Sequence, residues 1–392
     1  MKVIIVGAGI GGLGAAIALT RAGHDVEVYE SSSFLNEVGA AIHLAPNASR
    51  IVKSWDCDLE TIAPILCESI NHHSATDLKL IQRALVAKEM QAKLGIDDPW
   101  LMTHRVDLHN ALRQLAERGF QGKAAKIHLN SKAESVSRTV QAILSSGREK
   151  VSTGLNLFRF LLPVEKAEAN PMTKSLLEKI GLKSTIGIFA TDKRVIIYPC
   201  RSGTLLNCAM IIPSSELDDQ AARETSWLNR GNVDDLVACA RDFAPEIQEL
   251  CKMAEDVKLW NLTTRDPPPT FVKQKLALIG DAAHPMLPHQ GQGGAQAIED
   301  AAALGALFPA DTAPEQVSEL LSIYNEARYR HTVTIAITSR VSDDSRGTML
   351  DVLKRFIPDA TIPETAWVYA WDSWPAREVD RLLALRRSEK VI

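Results

Sequence analysis

The chain has 392 residues with 44 basic against 48 acidic side chains, and its formal charge of −4 excludes phosphate-backbone binding as the main activity. With 46% apolar and 23% charged residues it is a folded globular protein, neither disordered nor collagen-like, long enough for two or three domains. The six cysteines (Cys57, Cys67, Cys200, Cys208, Cys239, Cys251) are widely spread without a Cys-x-x-Cys, which disfavours a zinc site and a disulfide framework and points to a reducing, cytoplasmic compartment.

The first element lies in an uncharged run, Val3 to Leu19, that follows Lys2 and superficially resembles a signal peptide or a membrane span. Gly7, Gly9, Gly11, Gly12 and Gly14 argue against both, since each glycine weakens a helix by roughly 1 kcal/mol relative to alanine. A strand, a tight turn and a helix explain the run better, and no other stretch reaches the roughly 18 apolar residues of a span. A soluble protein is expected. Val3-Ile4-Ile5-Val6 reads as a buried parallel strand, residues 12–22 as a helix with Leu13, Ile17 and Ala18 on one face and Gly23 as its stop, and Val26-Glu27-Val28-Tyr29 as the next strand. Together they form one β-α-β unit of a parallel sheet.

Asp107 is placed to cap a helix whose apolar positions Leu108, Ala111, Leu112 and Leu115 keep the 3.6-residue period up to Gly119. From about Val151 to Thr270 the segments alternate, as in 156–162, 194–198 and 204–212, which predicts an antiparallel sheet in a second domain. Pro267-Pro268-Pro269 marks an extended connector, and Leu276-Ala277-Leu278-Ile279 is a further buried strand that runs into Gly280. A long helical region starts near Gly294, and Trp367, Trp371 and Trp374 anchor a C-terminal segment. The first domain is thus discontinuous: 1–65, 95–150 and 270–345, with 66–94 and 151–269 forming the second domain and 346–392 a C-terminal helical segment.

Gly7-Ala8-Gly9-Ile10-Gly11-Gly12 satisfies G-x-G-x-x-G, with Gly7, Gly9 and Gly12 allowing the turn, the approach of a pyrophosphate, and helix packing. The motif follows a strand and opens a helix, and Glu30 stands 23 residues after Gly7, where a carboxylate accepts both ribose hydroxyls of an adenine dinucleotide. A structural glycine turn beside a surface glutamate is the alternative. Gly280-Asp281-Ala282-Ala283-His284-Pro285 ends a strand with an aspartate suited to the ribityl hydroxyls of a flavin. The stretch from Pro288 to Gly294 precedes a helix whose free N–H groups suit the negative charge of a reduced flavin ring. His284 and His289 lack a carboxylate or third histidine at ligand spacing, so no metal is expected.

GAGIGG with Glu30, His104-Arg105-Val106-Asp107-Leu108-His109, and GDAAHPMLPHQGQGGAQAIEDA together resemble the FAD-dependent aromatic hydroxylases, the single-component flavoprotein monooxygenases of the salicylate hydroxylase and fungal secondary-metabolite type. The resemblance covers nearly the whole chain, because 156–163 and 198–203 also match the family's substrate domain. It implies an α/β fold with a Rossmann-like FAD-binding domain, an α+β substrate domain and a helical C-terminal region. It further implies a monooxygenase that takes FAD as cofactor and NAD(P)H as co-substrate. One oxygen atom of O2 would pass to an electron-rich phenolic or indolic ring through a C4a-hydroperoxyflavin. By position, Glu30 would bind the adenosine ribose, Ala41 would lie against the cofactor, Arg105 would contact the FAD chain, and Asp281 and Gly294 would hold its ribityl and flavin ends. Arg159 and Tyr198 fall to the substrate side, where a cation near a ring hydroxyl favours the phenolate and a tyrosine hydroxyl donates to it.

One family element is absent. An Asp-Gly motif, linked to the cofactor and to NAD(P)H use, would lie between the arginine helix and the substrate domain, yet the chain has no Asp-Gly dipeptide. Between Gly119 and Val151 stand 31 residues, of which Ser137 to Ser146 reads as the helix that follows the motif. The remainder is too short for a β-meander with its return strand, which needs about 20–30 residues. A block of secondary structure is missing, and a flavin-binding homologue without turnover is the alternative function.

Overall fold

The structure, a computed structural model, describes residues 1–33, 40–133, 149–218, 229–340 and 346–389. Strand β1 (Lys2–Val6) ends where Gly7 turns at φ +94°, and helix α1 (Ile10–Arg21) starts at once. A Cβ on Gly12 would stand 1.9 Å from the Gly7 carbonyl oxygen, so only glycine lets the helix begin this close to the strand. The chain continues through β2 (Asp25–Tyr29), β3 (Ala41–Leu44), α2 (Pro46–Ser54), β4 (Ile65–Leu66), β5 (Ser69–Ser74), β6 (Leu80–Val86), α3 (Ala87–Leu94), β7 (Leu101–His104), α4 (Arg105–Arg118) and β8 (Lys126–His128). It then forms β9 (Val151–Pro163), α5 (Val164–Ala169), α6 (Pro171–Ile180), β10 (Ser184–Phe189), β11 (Arg194–Cys200), β12 (Leu205–Pro213), α7 (Val233–Cys239), α8 (Pro245–Lys252) and β13 (Lys258–Thr264). The last elements are the arms β14 (Val272–Lys273) and β15 (Leu276–Ala277), then α9 (Gly293–Leu307), α10 (Val317–Thr338), α11 (Arg346–Lys354), α12 (Ala366–Trp371) and α13 (Pro375–Glu389).

The β-α-β unit forms as expected: β1 and β2 pair in parallel from Lys2 opposite Asp25 to Val6 opposite Tyr29, and β8 adds in parallel to β2. Strands β13-β9-β12-β11-β10-β5-β6 make a larger sheet, antiparallel throughout except at β10 and β5. Its alternation sets two faces. Phe158, Phe160 and Leu162 of β9, Val195 and Ile197 of β11, and Leu206, Cys208 and Met210 of β12 pack with Leu176, Ile180, Leu236 and Ile247 of the helices beneath. Leu157, Arg159, Arg194, Ile196, Tyr198, Asn207 and Ala209 therefore face the other way, toward the flavin-motif loops.

Two local expectations are corrected. Helix α4 starts at Arg105 after an extended His104, so Asp107 is not its cap but sits in the first turn, where it accepts two 2.8 Å hydrogen bonds from Arg201. The charge still opposes the helix dipole favourably. The expected strand 276–279 is reduced to β15, which pairs antiparallel with β14 and not with the parallel sheet. Among the described residues β1 pairs only with β2, so no strand bridges β1 to β15, and Ile4 and Val6 are left 58% and 52% exposed. The helix expected over Ser137 to Ser146 lies outside the described residues. No helix among them is long and apolar enough to cross a membrane.

Candidate functional site

At the glycine turn the first-turn N–H groups of α1 have no side-chain cap, and the space at the Cβ positions of Gly7 and Gly9 is open. Glu30 leans into the same turn: its carboxylate accepts from the Ala8 N–H at 2.7 Å and the Ser32 N–H at 2.8 Å. Burial opposes the charge, but these hydrogen bonds hold the Glu30 carboxyl below its usual range. His109 of α4 fixes the turn from behind through a 2.7 Å bond to the Ala8 carbonyl. Arg105, at the start of α4, donates its backbone N–H to Ala40 O at 2.7 Å, so β7 and α4 place the residue at the start of β3. An open helix N-terminus, a cradle that side chains would fill, and an ionised carboxylate at its rim fit the pyrophosphate and ribose of an adenine dinucleotide.

Asp281 sits exposed on the short helical turn Gly280–Ala282, with no partner among the described residues. That turn is held from below. Asp300 of α9 accepts from the Gly280 N–H at 2.9 Å, from His284 Nε2 at 2.6 Å and from Arg328 Nε at 2.9 Å. Arg328 of α10 also donates to Glu299 at 2.6 Å and to Gln296 Oε1 at 2.8 Å, and Glu299 in turn accepts from Asn47 and Ser373. Asp300, Glu299 and Arg328 are fully buried; burial pushes the Asp300 carboxyl up, yet His284 and Arg328 bring it down to about 2. His289, five positions after His284, serves separate partners, Arg194 and the Ser339 carbonyl.

Gly294 lies in the first turn of α9, where a Cβ would stand 2.8 Å from Ile42 of β3, so the absent side chain lets the helix N-terminus approach the strand that carries Ala41. Between this loop and the large sheet opens a cavity of about 670 Å³. Arg159 reaches it from β9 and Tyr198 from β11, both predicted from the sequence. Arg159 Nη2 is buried without a partner among the described residues, its guanidinium lies 5.2 Å from the Trp260 ring, and burial pushes its pKa down. The Tyr198 hydroxyl donates to the Ala41 carbonyl at 3.0 Å, and burial raises its pKa, so it is a protonated donor. Strands β3 and β11 are joined by that bond.

Sequence reasoning missed several walls. His43 packs 4.5 Å from Tyr198 and 5.4 Å from Trp100, and burial lowers its pKa to about 4. Trp100, Trp260, Trp367 and Arg194 also line the cavity. Period-two alternation on β11 could have found Arg194 two positions before Ile196, but the aromatic wall depends on α12 docking, which no local pattern encodes.

The family model for an FAD binding domain matches residues 188–339, and that for an NAD(P)-binding Rossmann-like domain matches residues 5–43. The FAD-dependent monooxygenase cfoG of Aspergillus candidus is 32% identical over 396 aligned positions, covering 93% of this chain and 90% of that protein. Since 93% of 392 residues is about 365, the alignment is about thirty positions longer than the part of this chain it spans. Hispidin-3-hydroxylase of Neonothopanus nambi is 30% identical, covering 84% of this chain and 85% of its own. Among solved structures, CtdE with FAD and substrate superposes with a TM-score of 0.76 at 20% identity over 98% of both chains, and a salicylate hydroxylase substrate complex with 0.69 at 19% over 97% of both. These two likenesses show the fold. At 32% identity over 93% of this chain and 90% of that relative, the chain belongs to the FAD-dependent monooxygenases of the aromatic hydroxylase type.

Proposed function

We propose that the protein uses FAD and NAD(P)H to insert one oxygen atom of O2 into an electron-rich phenolic or indolic ring. FAD, once reduced by NAD(P)H, supplies the activated oxygen. Glu30 accepts the adenosine ribose hydroxyls, the N–H groups at Gly9 and Gly12 meet the pyrophosphate, Arg105 pairs with the cofactor chain, Asp281 takes the ribityl hydroxyls, and Ala41 and Gly294 lie against the ring. The observation that carries the reading is Arg159, whose buried Nη2 has no hydrogen-bond partner among the described residues, in a cavity bounded by aromatic rings on one side and the Pro288 to Gly294 loop on the other. It favours the phenolate, the more readily oxidised form, while the Trp100, Trp260 and Trp367 walls exclude water. The test is NADPH oxidation by flavin-loaded protein across phenols and indoles, with product mass measured. Flavin-loaded protein that yields no hydroxylated product from any of them would overturn the proposal.

Glu30→Ala and Asp281→Ala are each expected to weaken FAD binding about tenfold or more, since charged hydrogen bonds contribute roughly 1.5–3 kcal/mol. Flavin retained on dialysis reads the effect, and parent-like retention in both variants would contradict the placement of the cofactor.

A second reading is a flavin binder with impaired turnover. It is favoured by the outer edge of β1, unpaired among the described residues, and by the exposed Ile4 and Val6, which is what the loss of a neighbouring strand leaves behind. Grafting an Asp-Gly segment of roughly 25–35 residues from a relative near Ser135, a position outside the described residues, is expected to raise flavin content, thermal midpoint and NADPH oxidation together. If the native chain already matches the graft in all three, the block is dispensable.

A further inference from the structure

The cavity holds a second guanidinium that the reaction above leaves unused. Arg194 lies on β11, and its Nη2 donates to His289 Nε2 at 2.8 Å. His289 Nδ1 meets the Ser339 carbonyl at 2.9 Å and must donate to it, which leaves the Nε2 lone pair for Arg194 and fixes a neutral tautomer. Burial, then the Arg194 charge, lower the His289 pKa to about 4, and His43 on the same wall is also near 4, so neither ring is an imidazolium at neutral pH. The only carboxylate among the lining residues is Glu364, whose side chain is 84% exposed and lies 3.8 Å from Lys93. Arg194 is thus a largely desolvated cation with no carboxylate partner among the described residues, and its Nε and Nη1 keep hydrogens to donate. Such a charge is unfavourable unless an anion completes it.

The register places this cation relative to Arg159. Arg194 shares a row with Ile211 and Leu157, whereas Arg159 shares the next same-face row with Ala209 and Ile196. Two strand spacings sideways and two residues along put their Cα atoms roughly 12 Å apart. Between them the floor is apolar, formed by Ile196, Ala209 and Ile211.

Resting on the monooxygenase reading, we propose that Arg194, held by neutral His289, is the subsite for a carboxylate or a comparably acidic group of the substrate, whose oxidised ring lies at Arg159. The substrate is then an aromatic acid longer than a single ring, with its acidic and phenolic ends on opposite sides of the Ile196 and Ala209 floor. A different anion with the same chemistry is the reduced cofactor itself, and the test separates the two.

Isothermal titration calorimetry of the protein with 6-hydroxy-2-naphthoic acid and with 2-naphthol, run both flavin-loaded with oxidised flavin and flavin-free, reads the acid preference directly. The expected result is that the acid binds at least tenfold tighter than 2-naphthol, that Arg194→Gln removes the difference while 2-naphthol binding stays within about twofold, and that Arg194→Lys keeps part of it. Equal affinities in the parent, no binding of either probe, or a preference that survives Arg194→Gln would overturn the subsite. So would an unchanged preference combined with weaker retention of reduced flavin in Arg194→Gln, which assigns the anion to the cofactor. Acid bound through Arg194 by flavin-loaded protein that hydroxylates none of the phenols and indoles sustains the subsite and sinks the monooxygenase proposal instead.

Discussion

Arg159→Ala is expected to lower hydroxylation by about 10²–10³-fold while FAD stays bound, the scale seen when one preorganised charge-stabilising group is removed from a site. Arg159 lies on β9, remote in sequence from the glycine turn and the Asp281 turn, and among the described residues its Nη2 has no partner to lose. Its removal therefore changes the ionisation of a bound phenol and leaves the dinucleotide cradle as it was. Tyr198→Phe should slow the reaction less, because that hydroxyl already donates to Ala41 and must leave this carbonyl to serve a substrate oxygen. Product formation and flavin content measured side by side decide the point: hydroxylation at the parent rate contradicts the role, and lost flavin makes Arg159 structural.

Arg328→Met should destabilise the fold by about 3–5 kcal/mol, since it strands Glu299 and Asp300 as buried carboxylates without their cation. For a chain of this size that is a drop of roughly 4–6 °C in thermal midpoint. The acid limb gives an independent readout. Asp300 has its pKa lowered to about 2 in the folded protein against an ordinary 3.8, so its contribution is present above about pH 4 and is lost as pH falls toward 2. Without Arg328 the carboxylate keeps His284 and the Gly280 N–H against the burial that pushes it up, and acid unfolding should begin at higher pH. A midpoint and acid limb that match the parent would mean that the network contributes nothing.

The elements legible in the sequence were those whose signal is local. The β-branched run before Gly7, the 3.6-residue period after Asp107 and the alternation at 156–162 each fix their element by near neighbours, and Glu30, Asp281 and Arg159 were legible because motifs or alternation place them. The start of α4 was missed by three residues because the Arg201 to Asp107 pair crosses from the β11–β12 turn, a contact no local window contains. The strand at 276–279 was overread because its run of apolar residues is strand-like, whereas its pairing depends on a neighbour among residues far away. Arg194, His43 and the tryptophan wall were invisible for a similar reason: they become a site only when the β-sheet face, the Pro288 loop and α12 meet.

The bare edge of β1 also governs how this chain behaves among its own copies. Among the described residues Lys-Val-Ile-Ile-Val offers a row of N–H and C=O groups free on one side, and its own apolar side chains Ile4 and Val6 are more than half exposed. Such an edge is a template for any extended strand that diffuses past, and the commonest such strand in an overexpressing cell is the same segment of another molecule still folding. Solubility should therefore fall with concentration well below the point at which stability fails, and Ile4→Lys, which places a charge on that uncovered face, should raise the soluble yield without shifting the thermal midpoint upward. Light scattering against concentration for the two chains measures it; identical curves would show that the edge is harmless.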